Sequence, residues 1–311
     1  MPDTDMTATA DDGLPLMGTL TLPAGPGPHP AVLLLHGSGR LDRDANSRGL
    51  RMELGPPLAA ALASRGIAAL RYDRRGVGAT SGDWRATGFA DNTRDAAAAL
   101  RALAARPDIR ADAIGVIGHS EGAVHAMSLG SNPLVRAVVL LAGYARRGED
   151  ALRWQAGMIA RDLPAPVRPL LRALGSRHLA RIKATSTDVA RVHGLPVNAR
   201  WFREMLGHDP RADLANIQAP VLAITGGKDV QVDPADLDEI RRLVPGESEV
   251  HRIPDLTHLL RRDPGRPSVR AYRRLLRRPV DPDLLAQVTG WLAHHLPAAR
   301  DDSELHEGKL L

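Results

Sequence analysis

One serine of the sequence stands in a setting that suits a nucleophile. Ser120 follows an apolar run over residues 114–117 and has a glycine two positions away on each side, Gly118 and Gly122. This G-x-S-x-G spacing predicts a sharp strand-to-helix turn, where glycines are needed because the two backbones pass closely. Such a turn places the hydroxyl beside backbone N–H groups at the positive end of a helix. The alternative is an ordinary helix-capping serine.

A serine hydroxyl needs a base to take its proton, and that base needs a third group to orient it. Among the 12 histidines, His258 is the predicted base, because it lies on a short loop after the last predicted strand. The other histidines considered are placed less well. His119 lies inside the serine turn, His251 lies within a strand, and His294 and His295 lie on the last helix.

The predicted orienting acid is Asp229, which follows the apolar run over residues 220–225. Asp233 and Asp255 are the alternatives for this role. The resulting chain order, serine then aspartate then histidine, is the order associated with a G-x-S-x-G turn. A simple turn aspartate is the competing interpretation of Asp229.

Two backbone amides are the predicted oxyanion donors. One belongs to Glu121, directly after the serine, and the other to Ser38 in the loop after residues 31–35. Gly37 and Gly39 flank Ser38, and their lack of a side chain would allow a substrate carbonyl to approach the backbone. We therefore predict that both glycines also contact the substrate. A flexible strand-exit loop is the alternative.

The elements that must position these residues are buried strands alternating with helices. The strands are predicted at residues 31–35, 67–72, 114–117, 135–141, 220–225 and 248–253. The helices are predicted at residues 54–65, 89–106, 234–243 and 281–296. This alternation predicts an α/β fold with a mostly parallel sheet and helices on both faces. The candidate residues follow strand ends, which meet at one edge of such a sheet.

The pattern changes between residues 144 and 216, where apolar residues recur at helical spacing between prolines and glycines. We predict a helical lid at 144–216 inserted into a core of 14–143 and 217–297, with flexible termini at 1–13 and 298–311. Trp201 and Phe202 are the lid residues predicted to contact substrate. Packing of the lid against the core is the alternative role for them.

The length and composition of the chain exclude several classes of protein. The chain has 311 residues with 43% hydrophobic residues, enough for a sizeable core, and no apolar run approaches the roughly 20 residues of a membrane span. Residues 1–13 lack the features of a secretory signal, so we expect a cytoplasmic protein. The absence of cysteine excludes disulfides, a thiol nucleophile and a cysteine-based zinc site.

The net charge is +5, and most basic residues are arginines. Aromatic residues make up only 3% of the chain, which leaves little for base stacking, so we expect no nucleic-acid partner. An arginine-rich stretch follows His258; a solvated basic face is the favoured interpretation and an anion-recognising rim the alternative. Its members are Arg261, Arg262, Arg266, Arg270, Arg273, Arg274, Arg277 and Arg278.

These motifs together resemble the α/β-hydrolase superfamily, and within it the bacterial esterases and acyl hydrolases related to the dienelactone-hydrolase and serine-aminopeptidase groups. The matching segments are residues 35–39, 42–44, 71–78, 118–122, 220–222, 227–232 and 256–259. The resemblance implies that Ser120 is the nucleophile, Asp229 the acid and His258 the base, with Asp73 structural and with no metal or organic cofactor. One departure is Ala123, where a second glycine is common, which predicts some crowding at the start of the helix.

We therefore expect a serine hydrolase that cleaves a small-molecule carboxylic ester through an acyl-enzyme, as a monomer or homodimer. An acyl-CoA thioesterase or an aminopeptidase on the same three residues is the alternative within this class, and the insertion's basic character makes the aminopeptidase less favoured. A non-catalytic binding protein on a hydrolase fold is the alternative of another class, which the complete set of nucleophile, acid and base argues against.

Overall fold

The computed structural model describes residues 3–192 and 194–296. The strands found there are β1 (Asp3–Thr9), β2 (Pro15–Thr21), β3 (His29–Leu35), β4 (Asn46–Ser47), β5 (Leu50–Arg51), β6 (Ala68–Tyr72), β7 (Ile109–His119), β8 (Val135–Leu141), β9 (Val189–Val192), β10 (Leu195–Asn198), β11 (Val221–Gly226) and β12 (Ser248–Ile253). The helices are α1 (Gly55–Ala63), α2 (Phe89–Ala104), α3 (Glu121–Leu129), α4 (Gly148–Ala160), α5 (Arg168–Lys183), α6 (Ala199–Gly207), α7 (Pro210–Ala215), α8 (Asp236–Leu243), α9 (Tyr272–Leu275) and α10 (Pro282–His295).

Eight of these strands form one sheet in the order β1-β2-β6-β3-β7-β8-β11-β12. The pairs from β6 to β12 are parallel, and only β1–β2 and β2–β6 are antiparallel. The predicted α/β class with a mostly parallel sheet is therefore confirmed.

Both faces of the sheet are buried, which explains the unbroken apolar runs in its strands. In β3, Leu33 and Leu35 join a core cluster with residues of α2, α3 and α8. Val32 and Leu34, which point the other way, join a second cluster with residues of α1 and α10. Since successive side chains of a strand point to opposite faces, a strand covered on both sides needs apolar residues at every position.

The prediction that residues 1–13 are flexible is wrong for residues 3–9. These form β1, which pairs along its whole length with β2 at one edge of the sheet. Met6 and Ala8 are buried, while Asp5, Thr7 and Thr9 face solvent. The alternation of apolar buried and polar exposed residues is what an edge strand requires, although its mostly polar composition resembles that of a flexible terminus. The predicted flexible tail at 298–311 lies outside the described residues.

The segment 144–216 contains α4 to α7, as its helical spacing predicted, and also a hairpin of β9 and β10. The sequence analysis did not predict these two strands. Each has only four residues, and Pro196 interrupts the second, so the alternation is too short to distinguish from a loop. The boundaries of the segment as a lid remain a prediction.

Asp73 connects two loops at the carboxyl edge of the sheet through hydrogen bonds. It follows β6, and its carboxylate accepts the backbone N–H and the guanidinium of Arg43, each at 2.7 Å, and the N–H of Ala79 at 2.8 Å. Burial raises the pKa of Asp73, but Arg43 and the backbone donors outweigh burial and hold the pKa below its usual value. The ionised carboxylate therefore contributes to the stability of this edge.

We expect the Asp73→Asn variant to lose about 2–4 kcal/mol of unfolding free energy at neutral pH, because an amide leaves Arg43 unpaired and turns an NH₂ group toward backbone donors. The lowered pKa means that the stabilisation is present above the unfolded pKa and is lost as the pH falls through the folded value. Wild-type stability should therefore decline more steeply below about pH 4 than that of the variant. Urea unfolding followed by tryptophan fluorescence at several pH values measures both effects.

Asp112→Asn is the matched control, because its side chain is 66% exposed and its ion pair with Arg110 is screened by solvent. It should leave stability nearly unchanged. Equal losses of unfolding free energy for the two variants would show that the contacts of Asp73 do not stabilise this edge.

Candidate functional site

Ser120 lies at a strained turn between β7 and α3. Its backbone has φ of 57° and ψ of −121°, a conformation that residues other than glycine rarely adopt. A Cβ atom at Gly118 would collide with the carbonyl of Gly122, and one at Gly122 would collide with the carbonyl of Leu35 in β3. The two glycines of the motif are therefore required by the close approach of strand and helix, as the sequence predicted.

The crowding expected from Ala123 is relieved by a second glycine. Ala123 is fully buried, and a Cβ atom at Gly143, in the loop after β8, would lie 2.9 Å from the Ala123 methyl group. The alanine methyl fits because residue 143 has no side chain.

Ser120, His258 and Asp229 form one chain of hydrogen bonds. Nδ1 of His258 lies 2.8 Å from Oδ2 of Asp229, and Nε2 lies 3.1 Å from Oγ of Ser120. Because the carboxylate can only accept, Nδ1 carries the proton, and Nε2 is left to accept from the serine hydroxyl. His258 and Asp229 are buried, whereas Ser120 is partly exposed. The structure thus brings together all three residues predicted for catalysis.

Asp229 is held for this contact from its other oxygen. Oδ1 accepts the backbone N–H of Gln231 at 2.7 Å and of Val232 at 2.9 Å. Of the two alternative acids, Asp233 pairs with Arg146 at 2.9 Å. Asp255 lies in the turn after β12, where its backbone carbonyl accepts the N–H of Asp263, and it is Asp229 that contacts His258.

His119, which the sequence did not favour as the base, contacts the backbone of His258. Its Nε2 donates to the backbone carbonyl of His258 at 2.9 Å, and the two ring centroids are 4.9 Å apart. Burial lowers the pKa of His119 to about 3, with a further contribution from His258, so the ring is neutral at physiological pH. The interaction fixes the backbone position of His258, a role that the motif alone did not suggest.

A buried ion pair links the serine turn to the loop after β3. Arg74 donates to Oε1 of Glu121 at 2.8 Å and to the carbonyl of His36 at 2.5 Å. His125, one turn along α3, lies 3.3 Å from the same oxygen of Glu121. Burial raises the pKa of Glu121, but Arg74 and His125 outweigh it and the pKa is lowered. Arg74 belongs to a motif noted in the sequence, yet its role follows only from this contact.

The predicted oxyanion loop passes beside the serine. A Cβ atom built on Gly37 would lie 3.2 Å from Cβ and 3.6 Å from Oγ of Ser120, so the loop backbone is close to the hydroxyl. Glu121 occupies the first position of α3, where its N–H lies at the open end of the helix. These positions are compatible with the two predicted donors.

A cavity of about 320 Å³ adjoins this loop. Its wall contains four of the predicted residues, namely Ser38, Gly39, Trp201 and Phe202; Gly37 lies instead against Ser120. The remaining wall residues, which the sequence analysis did not single out, are Arg74, Arg75, Val77, Trp84, Thr87, Asn92, Pro196, Val197 and Asn198. Trp201 and Phe202 also pack against a cluster that includes Val124 and Met205, as the alternative role considered for them requires, and their contact with substrate stays a prediction.

Comparison with known proteins assigns the chain to a family. The family described as "Serine aminopeptidase, S33" matches residues 50–265. The chain belongs to the S33 serine aminopeptidase family. The resemblance noted in the sequence to the α/β-hydrolase superfamily is therefore confirmed.

Three known proteins illustrate the breadth of the likeness. Esterase EstD of Thermotoga maritima is 29% identical to this S33-family chain over 289 residues, covering 90% of the chain and 66% of EstD. The 2,6-dihydropseudooxynicotine hydrolase of Paenarthrobacter nicotinovorans is 31% identical over 237 residues, covering 76% of the chain and 54% of that protein. The chain thus spans less than two thirds of the length of both relatives. The crystal structure of the α/β hydrolase GrgF from Penicillium sp. sh18 matches with a TM-score of 0.65 at 18% identity, covering 95% of the chain and 99% of GrgF, which shows a shared fold.

The arginine-rich stretch of the S33-family chain is not uniformly a solvated face, because Arg261 is buried. Its guanidinium donates to three backbone carbonyls: Leu259 and Met52 at 2.6 Å and Arg278 at 3.1 Å. Burial lowers the pKa of Arg261. Since Leu259 follows His258, this arginine ties the histidine loop to two other segments.

Other members of the stretch also have structural contacts. Arg262 pairs with Asp281 at 2.9 Å, and Arg274 pairs with Asp263 at 3.0 Å. An anion-recognising rim therefore has fewer free arginines available than the sequence suggests.

Two further findings concern the described residues. Among residues 3–192 and 194–296, no cluster of three or more histidine, aspartate or glutamate side chains is arranged to hold a metal ion. Within the same residues, no helix combines the length and apolar character that a membrane span requires.

We expect Arg261→Gln to lower the free energy of unfolding by about 2–4 kcal/mol, because two buried carbonyls and one partly buried carbonyl lose their charged donor. Urea unfolding of the purified variant measures the loss. Arg266→Gln is the control, since Arg266 is exposed within the same stretch and should tolerate the change. If both variants unfold at the wild-type urea concentration, the carbonyl contacts of Arg261 do not stabilise the histidine loop.

Proposed function

We propose that this protein is a serine hydrolase that cleaves carboxylic esters through an acyl-enzyme intermediate. The observation that carries the proposal is the hydrogen-bonded chain from Asp229 through His258 to Ser120, with distances of 2.8 and 3.1 Å. Membership of a hydrolase family and the likeness to an esterase point to the same class of reaction.

In the proposed reaction, Oγ of Ser120 attacks the ester carbonyl while Nε2 of His258 takes the serine proton. Asp229 keeps the imidazole oriented and stabilises its protonated form. The imidazolium then gives its proton to the departing alkoxide, which leaves an acyl-serine. Water, activated by the same histidine, attacks the acyl carbon, and the carboxylic acid is released as Oγ recovers its proton.

Backbone amides stabilise the negative charge that develops on the carbonyl oxygen. The proposed donors are the N–H groups of Glu121 and Ser38, whose segments are joined through Arg74, since Arg74 contacts both Glu121 and His36. Loss of one such donor costs about 3 kcal/mol in comparable enzymes. The ion pair would therefore act indirectly, by fixing the relative positions of the two segments that carry the proposed donors.

The cavity beside Ser38 is the proposed binding site for one part of the ester. Trp84, Trp201 and Phe202 give it an aromatic character, and Val77 and Val197 add aliphatic surface. An apolar acyl or alcohol group of moderate size suits these walls. Residues 144–216 supply Trp201, Phe202 and Val197, so we propose that this insertion acts as the lid that shapes specificity.

Aminopeptidase activity is the second candidate, because the family carries that description. An aminopeptidase must hold the free amino group of its substrate, for which a carboxylate near the serine is the suitable partner. The described wall of the cavity has Arg74 and Arg75 but no acidic residue, and the carboxylate of Glu121 is already paired with Arg74. The charge of the cavity therefore favours esters over peptides with a free amine.

A substrate panel tests the proposal. Purified protein should hydrolyse p-nitrophenyl esters faster than acyl-CoA thioesters and aminoacyl amides, and a fluorophosphonate should label it at one site. Ser120→Ala should abolish turnover and labelling, because the attacking oxygen is removed. Folded Ser120→Ala protein that retains full ester hydrolysis would refute the assignment, and faster cleavage of aminoacyl amides would favour the peptidase.

The choice of acid is tested by Asp229→Asn. The amide cannot stabilise the imidazolium or hold the correct tautomer, so kcat should fall by about 10²–10⁴. Asp255→Asn is the matched control from the same edge of the sheet and should retain near wild-type kcat. A larger loss in the control would assign the orienting role to Asp255.

A further inference from the structure

The helix α5 exposes a row of large apolar side chains. Every residue from 169 to 177 is exposed, and the large apolar side chains among them remain accessible at 61% for Leu170, 43% for Leu171 and 49% for Leu174. Val167, just before the helix, is 39% exposed. These four residues are spaced three, one and three positions apart, so they share one face of a helical turn. Apolar surface gathered in this way on a soluble protein usually marks a contact site.

The helix is held at its other end. Ile182 is fully buried in a small cluster with Ala190, Val192 and Ala199, and Lys183 pairs with Glu149 of α4 at 2.8 Å. The C-terminal turn is therefore packed against the rest of the insertion, while the turns that carry the leucines project from it. The exposed leucines thus belong to an anchored helix with a defined face.

The charged side chains around the leucines are all basic. Residues 163–187 contain no aspartate or glutamate, and their basic residues are Arg168, Arg172, Arg177, Arg181 and Lys183. Within the part of the chain that the structure describes, Arg172, Arg177 and Arg181 form no ion pair with an acidic side chain. Exposed leucines beside unpaired arginines form a surface that combines apolar burial with attraction for anions.

This combination suits one kind of partner. A helix that lies in a membrane interface buries an apolar face among acyl chains while its arginines contact anionic headgroups. A second copy of the same face is a poorer occupant, because association would bring two sets of unpaired arginines together. Nucleic acid would use the charge but leave the leucines in water.

We propose that α5 docks this protein on the surface of anionic lipid membranes. The leucine face formed by Leu170, Leu171 and Leu174 enters the interface, and Arg172, Arg177 and Arg181 interact with lipid phosphates. The docking is peripheral, and it holds whether or not the protein is an esterase, because it depends on α5 alone.

Co-sedimentation with vesicles tests the proposal without any measure of hydrolysis. The 311-residue protein is mixed with vesicles of phosphatidylcholine alone or of phosphatidylcholine with phosphatidylglycerol, at low and at high salt. Binding is expected only to the anionic vesicles, and salt should weaken it because part of the attraction is screened. Absence of binding to anionic vesicles at low salt would overturn the proposal.

Two variants separate the contributions. Replacing the three leucines by serine, and separately replacing Arg172, Arg177 and Arg181 by glutamine, should each weaken vesicle binding by about tenfold or more, since both terms contribute. Leu195→Ser is the control, because Leu195 is 71% exposed but lies on β10, and its binding should equal that of the wild type. All the substituted side chains are exposed, so circular dichroism and thermal unfolding should be unchanged.

Two outcomes would overturn the proposal. Vesicle binding that survives the triple serine substitution unchanged would show that α5 does not dock on the membrane. A dimer of the wild type in analytical ultracentrifugation that the serine variant loses, together with no vesicle binding, would assign the leucine face to a second copy of the chain.

Discussion

The candidate site depends on the hydrogen bond between Nε2 of His258 and Oγ of Ser120. These atoms belong to loops that leave the sheet after β12 and β7, with β8 and β11 between those strands. A contact of this length between two loops is kept only if each backbone is held independently. The serine is held by a strained turn in which glycines permit close packing, and the histidine is held by contacts to its own backbone and its neighbours.

Buried polar groups supply much of this positioning. His119 donates to the carbonyl of His258, and Arg261 donates to that of Leu259. Arg74 joins the serine helix to the loop after β3, and Asp73 joins that region to the loop after β6 through Arg43. Such groups lose solvation on burial, so they are tolerated where their hydrogen bonds are satisfied and their geometry is specific. Here they surround the one place where the backbone must be placed most accurately.

The insertion between β8 and β11 is less uniformly buried than the surroundings of the candidate site. It also contacts the core, since Asn198 donates to the carbonyls of Trp84 and Thr87 and Leu214 is fully buried in the main core cluster. Its helix α5, by contrast, is mostly exposed. The sheet edge thus carries the candidate chemistry, and the insertion supplies part of the cavity wall and, on α5, an exposed apolar face. This division allows the surface to vary without disturbing the serine turn.

The sequence by itself determined the class of the fold and the identity of the central residues. Apolar runs such as residues 31–35 predicted strands buried on both faces, and the glycines around Ser120 predicted the turn, because these features are local consequences of backbone geometry and burial. Asp229 and His258 could be chosen from their positions after strands, since the carboxyl ends of parallel strands converge. The strand β1 could not be recognised because its sequence is mostly polar, and the hairpin of β9 and β10 could not because each strand has only four residues.

The tertiary structure alone decided the roles of His119, Arg74 and Arg261. Each acts by donating to a carbonyl or carboxylate that is distant in sequence or belongs to another loop, and the residue type says nothing about which acceptor it will reach. Arg261 resembled its seven arginine neighbours in the sequence, yet only packing made it a buried donor to three carbonyls. Local patterns specify strands and turns through short-range sterics, whereas hydrogen-bond partners are set by how the loops meet in space.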